Sequence, residues 1–375
     1  MEEVSMRVAV RIRPLCRGEI LEDEEVCVQI VDGQHQVKVN TPEEVINFDH
    51  AFGPNLTQKD VFDTCVHPLV PRFIEGCNTT VFTYGQTGSG KTYTMGTLGI
   101  IPRAIDDIFN LLNEKKGIKY SLATYYIEIY NEELRDLLEK KNDMNIILRD
   151  DKWGNTECAV NTKKDLLHFL EEGSTRRRVG NTLLRKRSSR SHTIFTIFLR
   201  QQRGHSQKTK DGIVKGEEII SKFTFIDLAG HERMGRSENK MRFNESININ
   251  KSLSTLAQVI SSLAIPNTDK AHIPFRNSKL TRILKDSLEG NAKTVMIVCI
   301  NPASTLDTLT SLKYANQARD IKPKTMVNHV NEQYKQELRD RKKAVKQHLQ
   351  ERKHVSTSLQ RSLPDKLQTI FFKLF

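Results

Sequence analysis

The stretch GQTGSGKT, residues 85–92, constrains this chain more than any other eight residues. It has the spacing G-x-x-x-x-G-K-[ST], in which glycines let backbone N–H groups curl around phosphate oxygens without a Cβ in the way. Gly85, Gln86, Thr87, Gly88, Ser89 and Gly90 would form the cradle. Lys91 would set a point charge on the outer phosphates, and Thr92 would offer its hydroxyl to Mg²⁺. Such a loop works only between a strand that delivers it and a helix whose N-terminal dipole faces the anion. Both neighbours are present: TTVFTY at 79–84 reads as a buried strand, and a helical stretch follows. A glycine turn that matches by chance would lack that context.

The rest of the chain repeats the alternation. MRVAVRI (6–12), 119–129, HTIFTIFL (192–199), KFTFID (222–227) and TVMIVCI (294–300) read as strands. The last is apolar throughout, the pattern of a central strand covered on both faces. Pro102 opens a helix with Ile105, Ile108 and Leu112 on one face. Further helices are predicted over 131–139, 245–264 and 308–321. In the second of these, Ile247, Leu253, Leu256, Val259, Ile260 and Leu263 fall near one stripe. The polar stretch 200–221 reads as a hairpin loop or insert. These features predict one α/β layered domain over about 320 residues, with no internal repeat.

Composition narrows the partners. The 375 residues carry a formal net charge of +12, with 58 Lys and Arg against 46 Asp and Glu. That favours a polyanionic partner. Half of the excess lies in 331–375, which holds 11 Lys and Arg against 5 Asp and Glu. No apolar run reaches the ~18 residues of a membrane span. The opening residues do not read as a secretory signal, and six scattered cysteines without a CxxC pair argue against a disulfide framework or zinc module. A reducing, intracellular setting is the expectation. The tail shows no aromatic interleaving, so nucleic acid is not favoured as its partner. Residues 329–375 read as a basic, partly helical or disordered segment, too short to pair stably as a coiled coil.

Two further elements bear on the phosphate site. In DLAG (227–230), Asp227 ends a strand and can hold Mg²⁺ through water, while the Gly230 N–H can sense a γ-phosphate. In SSRSH (188–192), two hydroxyls and a guanidinium precede a strand, where they could reach metal, water and phosphate. Taken singly, these are a strand-end Asp and a polar turn. No Asn-Lys pair is followed by Asp two residues on, which lowers a guanine-nucleotide reading.

Together, RIRP (11–14), YGQTGSGKTYTMG (84–96), SSRSH (188–192), DLAGHE (227–232), ININKSL (247–253), HIPFRNSKLTRILKDSL (272–288) and SLKYANQARDIK (311–322) resemble a kinesin motor domain over residues 6–328. The opening MEEVSMRVAVRIRPL, GIIPRAI (99–105) and RFNESI (242–247) look most like class four, including its ciliary and Hedgehog-linked branch. The resemblance implies a kinesin-like P-loop NTPase fold, a mostly parallel central sheet flanked by helices on both faces. It implies an ATP-driven, plus-end-directed microtubule motor, a microtubule-stimulated ATPase using ATP and Mg²⁺. Its expected place is the cytoplasm, on the microtubule cytoskeleton, with the cilium as an alternative.

By the same resemblance, Arg11, Arg13, Pro14 and Tyr93 line the adenine and ribose, with Tyr93 stacked on the base. Ser188 and Ser189 belong to the first switch loop, placing lytic water and Mg²⁺. Thr92, Ser189 and, through water, Asp227 hold the metal. Arg190 and Glu232 pair when the switches close, and Gly230 senses the γ-phosphate. Residues 321–328 look like the neck linker, with Val327 and Asn328 in its latching segment. Arg276, Lys279, Arg282 and Lys285 recur at three-residue steps and would meet acidic tubulin, together with Lys251 and His272. His272 and His192 are otherwise read as hydrogen-bonded turn residues. A homodimer is expected only with a longer stalk, and cargo is not legible.

Four positions depart from the family pattern. Arg185 stands where the first switch has Asn, and His231 where DLAGSE has Ser. The segments 233–244 and 154–160 are shortened, the latter within a filament-facing lobe. The loop at 96–99 is also short. Arg185 and the reduced lobe favour a second expectation, a slow or immotile kinesin regulating filament ends. A P-loop switch acting without microtubules is the third.

Overall fold

The computed structural model describes residues 6–31, 34–40, 42–115, 119–139, 148–149, 152–153, 157–183, 189–203, 207–209, 212–214, 217–231, 240–265 and 273–321. At 148–149, 152–153, 179–183, 203, 207–209, 212–214, 217 and 240–250 the backbone alone is described. Contacts group Met1–His329 as one unit and Val330–Phe375 as another, and only the first contains described residues.

The chain begins with β1 (Arg7–Ile12) and a short α1 (Arg17–Leu21). A small antiparallel sheet follows, formed by β2 (Val28–Val31), β3 (Gln36–Val39) and β4 (Glu44–Asn47). Next come β5 (His50–Phe52), α2 (Gln58–Cys65), α3 (Leu69–Glu75) and β6 (Thr79–Tyr84). The phosphate loop leads to α4 (Lys91–Met95) and α5 (Ile100–Glu114). Then follow β7 (Lys119–Tyr130), β8 (Glu133–Asp136), β9 (Leu148–Arg149), β10 (Lys152–Trp153), β11 (Cys158–Val160) and the long α6 (Lys163–Leu183). A long hairpin joins β12 (His192–Arg203) to β15 (Glu217–Asp227), with β13 (Gln207–Thr209) and β14 (Gly212–Val214) between them. The described chain closes with α7 (Lys240–Ala264), α8 (Lys279–Leu288), β16 (Lys293–Ile300) and α9 (Thr305–Ala318).

The central sheet has the order β11-β7-β12-β15-β6-β16-β1-β5, with β8 paired to β7. The half that carries the phosphate loop is parallel, from β15 through β6, β16 and β1 to β5. The pairings of β12, β7, β11 and β8 are antiparallel. The sheet is therefore mixed, and the expected parallel character holds only for its nucleotide-bearing half. The long β12–β15 hairpin turns the chain straight back and so builds an antiparallel flank.

Period-two alternation explains the layering. Val295, Ile297 and Cys299 of β16 face a layer of α2, α3, α5 and α6, while Met296, Val298 and Ile300 face α7, α8, α9 and the small sheet. Both faces are covered, so the strand is apolar throughout. On α5, Ile105, Ile108 and Leu112 are buried as the spacing predicts. The helix begins at Ile100, so Pro102 sits in its first turn, where no helical acceptor is lost.

Two sequence expectations are corrected. Residues 131–139 are not a helix: β7 turns at Asn131 and Glu132 into β8, with Ile129 opposite Leu134. Leu134, Leu137 and Leu138 have helical spacing, but pairing with β7 buries them better, and tertiary context decides. The polar stretch 200–221 is largely strand, since the β12–β15 ladder continues to Arg203 opposite Glu217. At the base of the domain, the Met6 N–H donates to the Ile321 carbonyl at 2.8 Å, with both residues buried.

Candidate functional site

The site forms where β1, β6 and β15 end together, the edge at which open α/β sheets bind ligands. In the loop after β6, Gly85, Gly88 and Gly90 have φ values of 145°, 78° and 99°. Gly85 is irreplaceable on space as well, because a Cβ there would lie 2.2 Å from the Cys299 carbonyl oxygen. Lys91 is 7% exposed and curls back over the loop. Its ammonium donates to the Gly85 carbonyl at 2.8 Å and the Gln86 carbonyl at 2.7 Å. The Ser89 hydroxyl is buried with no protein partner, and Thr87 and Gly88 are exposed at the mouth.

Asp227 lies at the end of β15 beside Thr83 of β6, a register set by the parallel ladder. Its Oδ2 accepts from the Thr92 hydroxyl at 2.7 Å and from Arg177 Nη1 at 2.6 Å. Arg177 is buried on α6 and also donates to the Ser191 carbonyl at 3.1 Å. The sequence did not single out Arg177. It stands inside TRRR, which reads as a solvated run, and the only cue is that one of the three arginines faces the sheet.

Ser189, from the segment expected to form the first switch loop, lies at this point. The Ser189 carbonyl accepts the Gly230 N–H at 2.8 Å, so the two candidate switch elements meet. Arg190 is half-buried. Ser188, Glu232 and Arg185 lie outside the described residues, and with them the expected Arg190–Glu232 pair. His192 is buried, and its Nδ1 accepts the Ala229 N–H at 3.0 Å. The proton therefore sits on Nε2, which donates to the Ser252 hydroxyl of α7 at 2.8 Å. Burial pushes its pKa down to about 3, so the ring is neutral. His231 stacks on Tyr84 with centroids 4.9 Å apart, and its Nε2 lies 3.3 Å from the Ser311 hydroxyl of α9. Burial, then Lys91, lowers its pKa.

The four residues expected at the base divide into two groups. Tyr93 is 62% exposed and Pro14 is exposed, leaving their faces open. Arg13 binds the Gly88 carbonyl at 2.7 Å and pairs with Glu19 at 2.5 Å, which holds the Glu19 carboxyl at about 2. Arg11 is only 8% exposed. Its Nη1 donates to Gln58 Oε1 at 2.7 Å and Thr94 Oγ1 at 2.9 Å, and its Cζ lies 5.3 Å from the Tyr93 ring centroid. Gln58 Nε2 in turn donates to the Tyr93 carbonyl at 2.6 Å. Arg11 therefore supports Tyr93 from below rather than facing the open mouth.

These residues fit a nucleotide triphosphate and Mg²⁺. The loop presents left-handed glycines, a lysine and a buried hydroxyl without a partner, and a hydroxyl–carboxylate pair of hard oxygens stands beside it. Among the described residues no helix is long and apolar enough to cross a membrane.

The basic series lies on a different part of the surface. Leu280, Leu284 and Leu288 of α8 are buried, and Lys285 and Arg276 are exposed. Lys279 and Arg282 are partly buried, and Lys251 on α7 is exposed. Lys285 Nζ lies 5.8 Å from the Phe275 ring centroid, just before α8. His272 lies outside the described residues, as do residues 322–328 with Val327 and Asn328.

Comparison with known proteins agrees with this geometry. The family profile described as kinesin motor domain matches residues 11–321. The chain is 46% identical over 349 residues to kinesin-like protein KIF27 of Homo sapiens, covering 88% of this chain and 25% of that protein. It is 42% identical to kinesin-like protein kif7 of Danio rerio, covering 98% of this chain and 28% of that one. For kinesin-like protein KIN-4A of Gossypium hirsutum the identity is 40%, covering 87% and 35%. The chain thus spans about a quarter to a third of these relatives. Among solved structures, a fast kinesin superposes with a TM-score of 0.78 at 33% identity, covering 88% of this chain and 95% of that one. A KIF14 dimer with AMP-PNP, in complex with a microtubule, gives 0.77 at 33% identity, covering 87% and 97%. Phosphate loop, strand-end Asp, switch contact and profile all converge, and the chain belongs to the kinesin motor domain family.

Proposed function

We propose that this chain hydrolyses ATP at the Gly85–Thr92 loop and uses the cycle to move towards the plus end of a microtubule. The observation that carries this reading is the meeting of Thr92, Asp227, Gly230 and Ser189 beside the phosphate loop. Mg²⁺ would be held by Thr92, Ser189 and, through water, Asp227, and would supply charge that neutralises the phosphates. Lys91 exchanges its two carbonyl acceptors for phosphate oxygens. The Gly230 N–H leaves the Ser189 carbonyl for the γ-phosphate, and Arg190 closes on Glu232. Tyr93 and Pro14 hold the base, with Arg13 fixing the loop beside it.

The coupling runs through two histidines. His192 joins the switch segments to Ser252 of α7, so a shift at Ala229 is felt by the helix that carries Lys251. His231 joins the same segment to α9, which leads to the proposed neck linker at 321–328. Arg276, Lys279, Arg282 and Lys285 hold the acidic filament, and Lys251 and His272 are further proposed contacts.

The test is steady-state ATP turnover with and without microtubules at low salt, beside Lys91→Ala. Strong stimulation by microtubules is expected, and the substitution lowers it by at least about a hundredfold, as loss of a transition-state charge contact does. Tight filament binding with little stimulation would replace this reading with that of an immotile kinesin at filament ends, the outcome Arg185 favours. Turnover indifferent to microtubules would reject both.

A further inference from the structure

The turn between β7 and β8 is a two-residue hairpin loop of a type normally made with glycine. Asn131 and Glu132 have φ values of 54° and 59°, so two consecutive residues with a Cβ occupy the left-handed region. Asn tolerates this conformation and Glu is poorly suited to it. A residue held so persists where its surroundings over-determine it, which makes its side-chain contacts worth tracing.

The Glu132 side chain reaches the N-terminus of α8, more than 140 residues away in sequence. Its Oε1 accepts the Ser278 hydroxyl proton at 2.7 Å, and its Oε2 accepts the Lys279 N–H at 2.8 Å. Ser278 is itself the N-cap of α8, accepting the Leu280 N–H at 3.1 Å. The first turn, Lys279-Leu280-Thr281, has no acidic residue of its own. A capping box would place Glu or Gln at Thr281, and here the carboxylate comes from another element. It satisfies an N–H that has no helical acceptor and sets a negative charge at the positive end of the helix dipole.

We infer that Glu132 is a positioning residue for the filament face: it fixes the start of α8, and so the orientation of Lys279, Arg282 and Lys285. Its proposed role is to orient that face, not to touch the filament. The inference rests on the reading of α8 as microtubule-binding, which is tested alongside it. Through these two bonds Glu132 links the β7–β8 turn to the cap of the helix that presents the basic series.

The experiment uses the full chain with Glu132→Gly, Glu132→Gln and, as a separate control, Arg282→Ala with Lys285→Ala. Glu132→Gly removes the carboxylate and relieves the turn, so folding is retained. Loss of the cap is expected to raise the KM for microtubules about five- to tenfold, while kcat at saturating microtubules stays within about twofold. Glu132→Gln keeps one acceptor oxygen and falls between wild type and glycine. Amide exchange at Lys279 and Leu280 speeds up in Glu132→Gly while that of β16 does not change. If the control raises KM and the Glu132 variants do not, the positioning role is wrong and the filament face stands. If the control also leaves KM unchanged, the filament face fails and the positioning role with it. A loss of melting temperature and kcat together with KM would make Glu132 a merely structural residue and overturn the inference.

Discussion

His192 is the residue at which the two switch segments and α7 meet through one imidazole. It is neutral because it is buried, with its pKa pushed down to about 3. In the unfolded chain it titrates near 6.5, so between those values the unfolded state binds one proton more than the folded state. Its contribution to stability is therefore complete above about pH 6.5 and is lost as pH falls towards 3, by up to about 1.4 kcal/mol per pH unit. His231 and His50 are also lowered by burial and add to the same slope. Urea unfolding at pH 7, 6 and 5 should show stability falling, and His192→Gln should make the fall shallower by roughly one proton's worth. Equal slopes in the two proteins would reject the assignment. Lys91, Thr92 and Asp227 were legible in the sequence because a local motif or strand end announces them. Arg177 and Gln58 were not, because each acts through a contact made by folding distant elements together. Arg11 and Tyr93 were both expected to line the base, with Tyr93 stacked on it; Arg11 is buried beneath Tyr93, while the Tyr93 ring is exposed.

At the scale of elements, α6 shows how closely a helix can be drawn onto the sheet. A Cβ at Gly173 would lie 2.2 Å from Cδ1 of Tyr126 on β7. Tyr126 is buried and meets Phe195 edge-on at 5.3 Å, so it has little room to yield. Gly173→Ala gains about 1 kcal/mol of helix propensity. The clash is worth about 1–3 kcal/mol and wins. Arg177 lies one turn further along the same helix, so the displaced α6 also draws it from Asp227. The expected result is a lower melting temperature, and an unchanged or higher one would show that α6 sits less tightly than described. No sequence rule located α6, since its exposed side is dense in charge and its apolar contacts are few. The β7–β8 turn was misread for the opposite reason, because leucines at helical spacing are equally served by a strand and the turn after it. Strands β6, β15 and β16 were legible because their burial on one or both faces is written as uninterrupted or alternating apolar residues.

For the molecule as a whole, the proposed binding to a filament would depend on charge more than on the fold. A net charge of +12 and a partly exposed basic series imply attraction that salt weakens. Between about 0.01 and 0.15 M ionic strength the Debye length falls from roughly 30 to 8 Å. The microtubule KM should rise at least about tenfold over that range while kcat at saturation changes little. A KM insensitive to salt would show that apolar contacts dominate. The α/β architecture was legible from alternation, but the antiparallel flank was not, because a polar hairpin and a loop look alike in sequence. The bond between Met6 and Ile321 has a mechanical meaning. Tension arriving along the chain at Ile321 is handed to the start of β1, a rod of about 20 Å. That rod is gripped on both sides by β16 and β5, and pulling along it loads many bonds in shear. At its far end stands Arg13, fastened to the carbonyl of Gly88. The phosphate loop is thus at the end of a rod that a load on Ile321 can pull, and under the proposed motor function resistance would be felt as a change in how tightly the nucleotide is gripped.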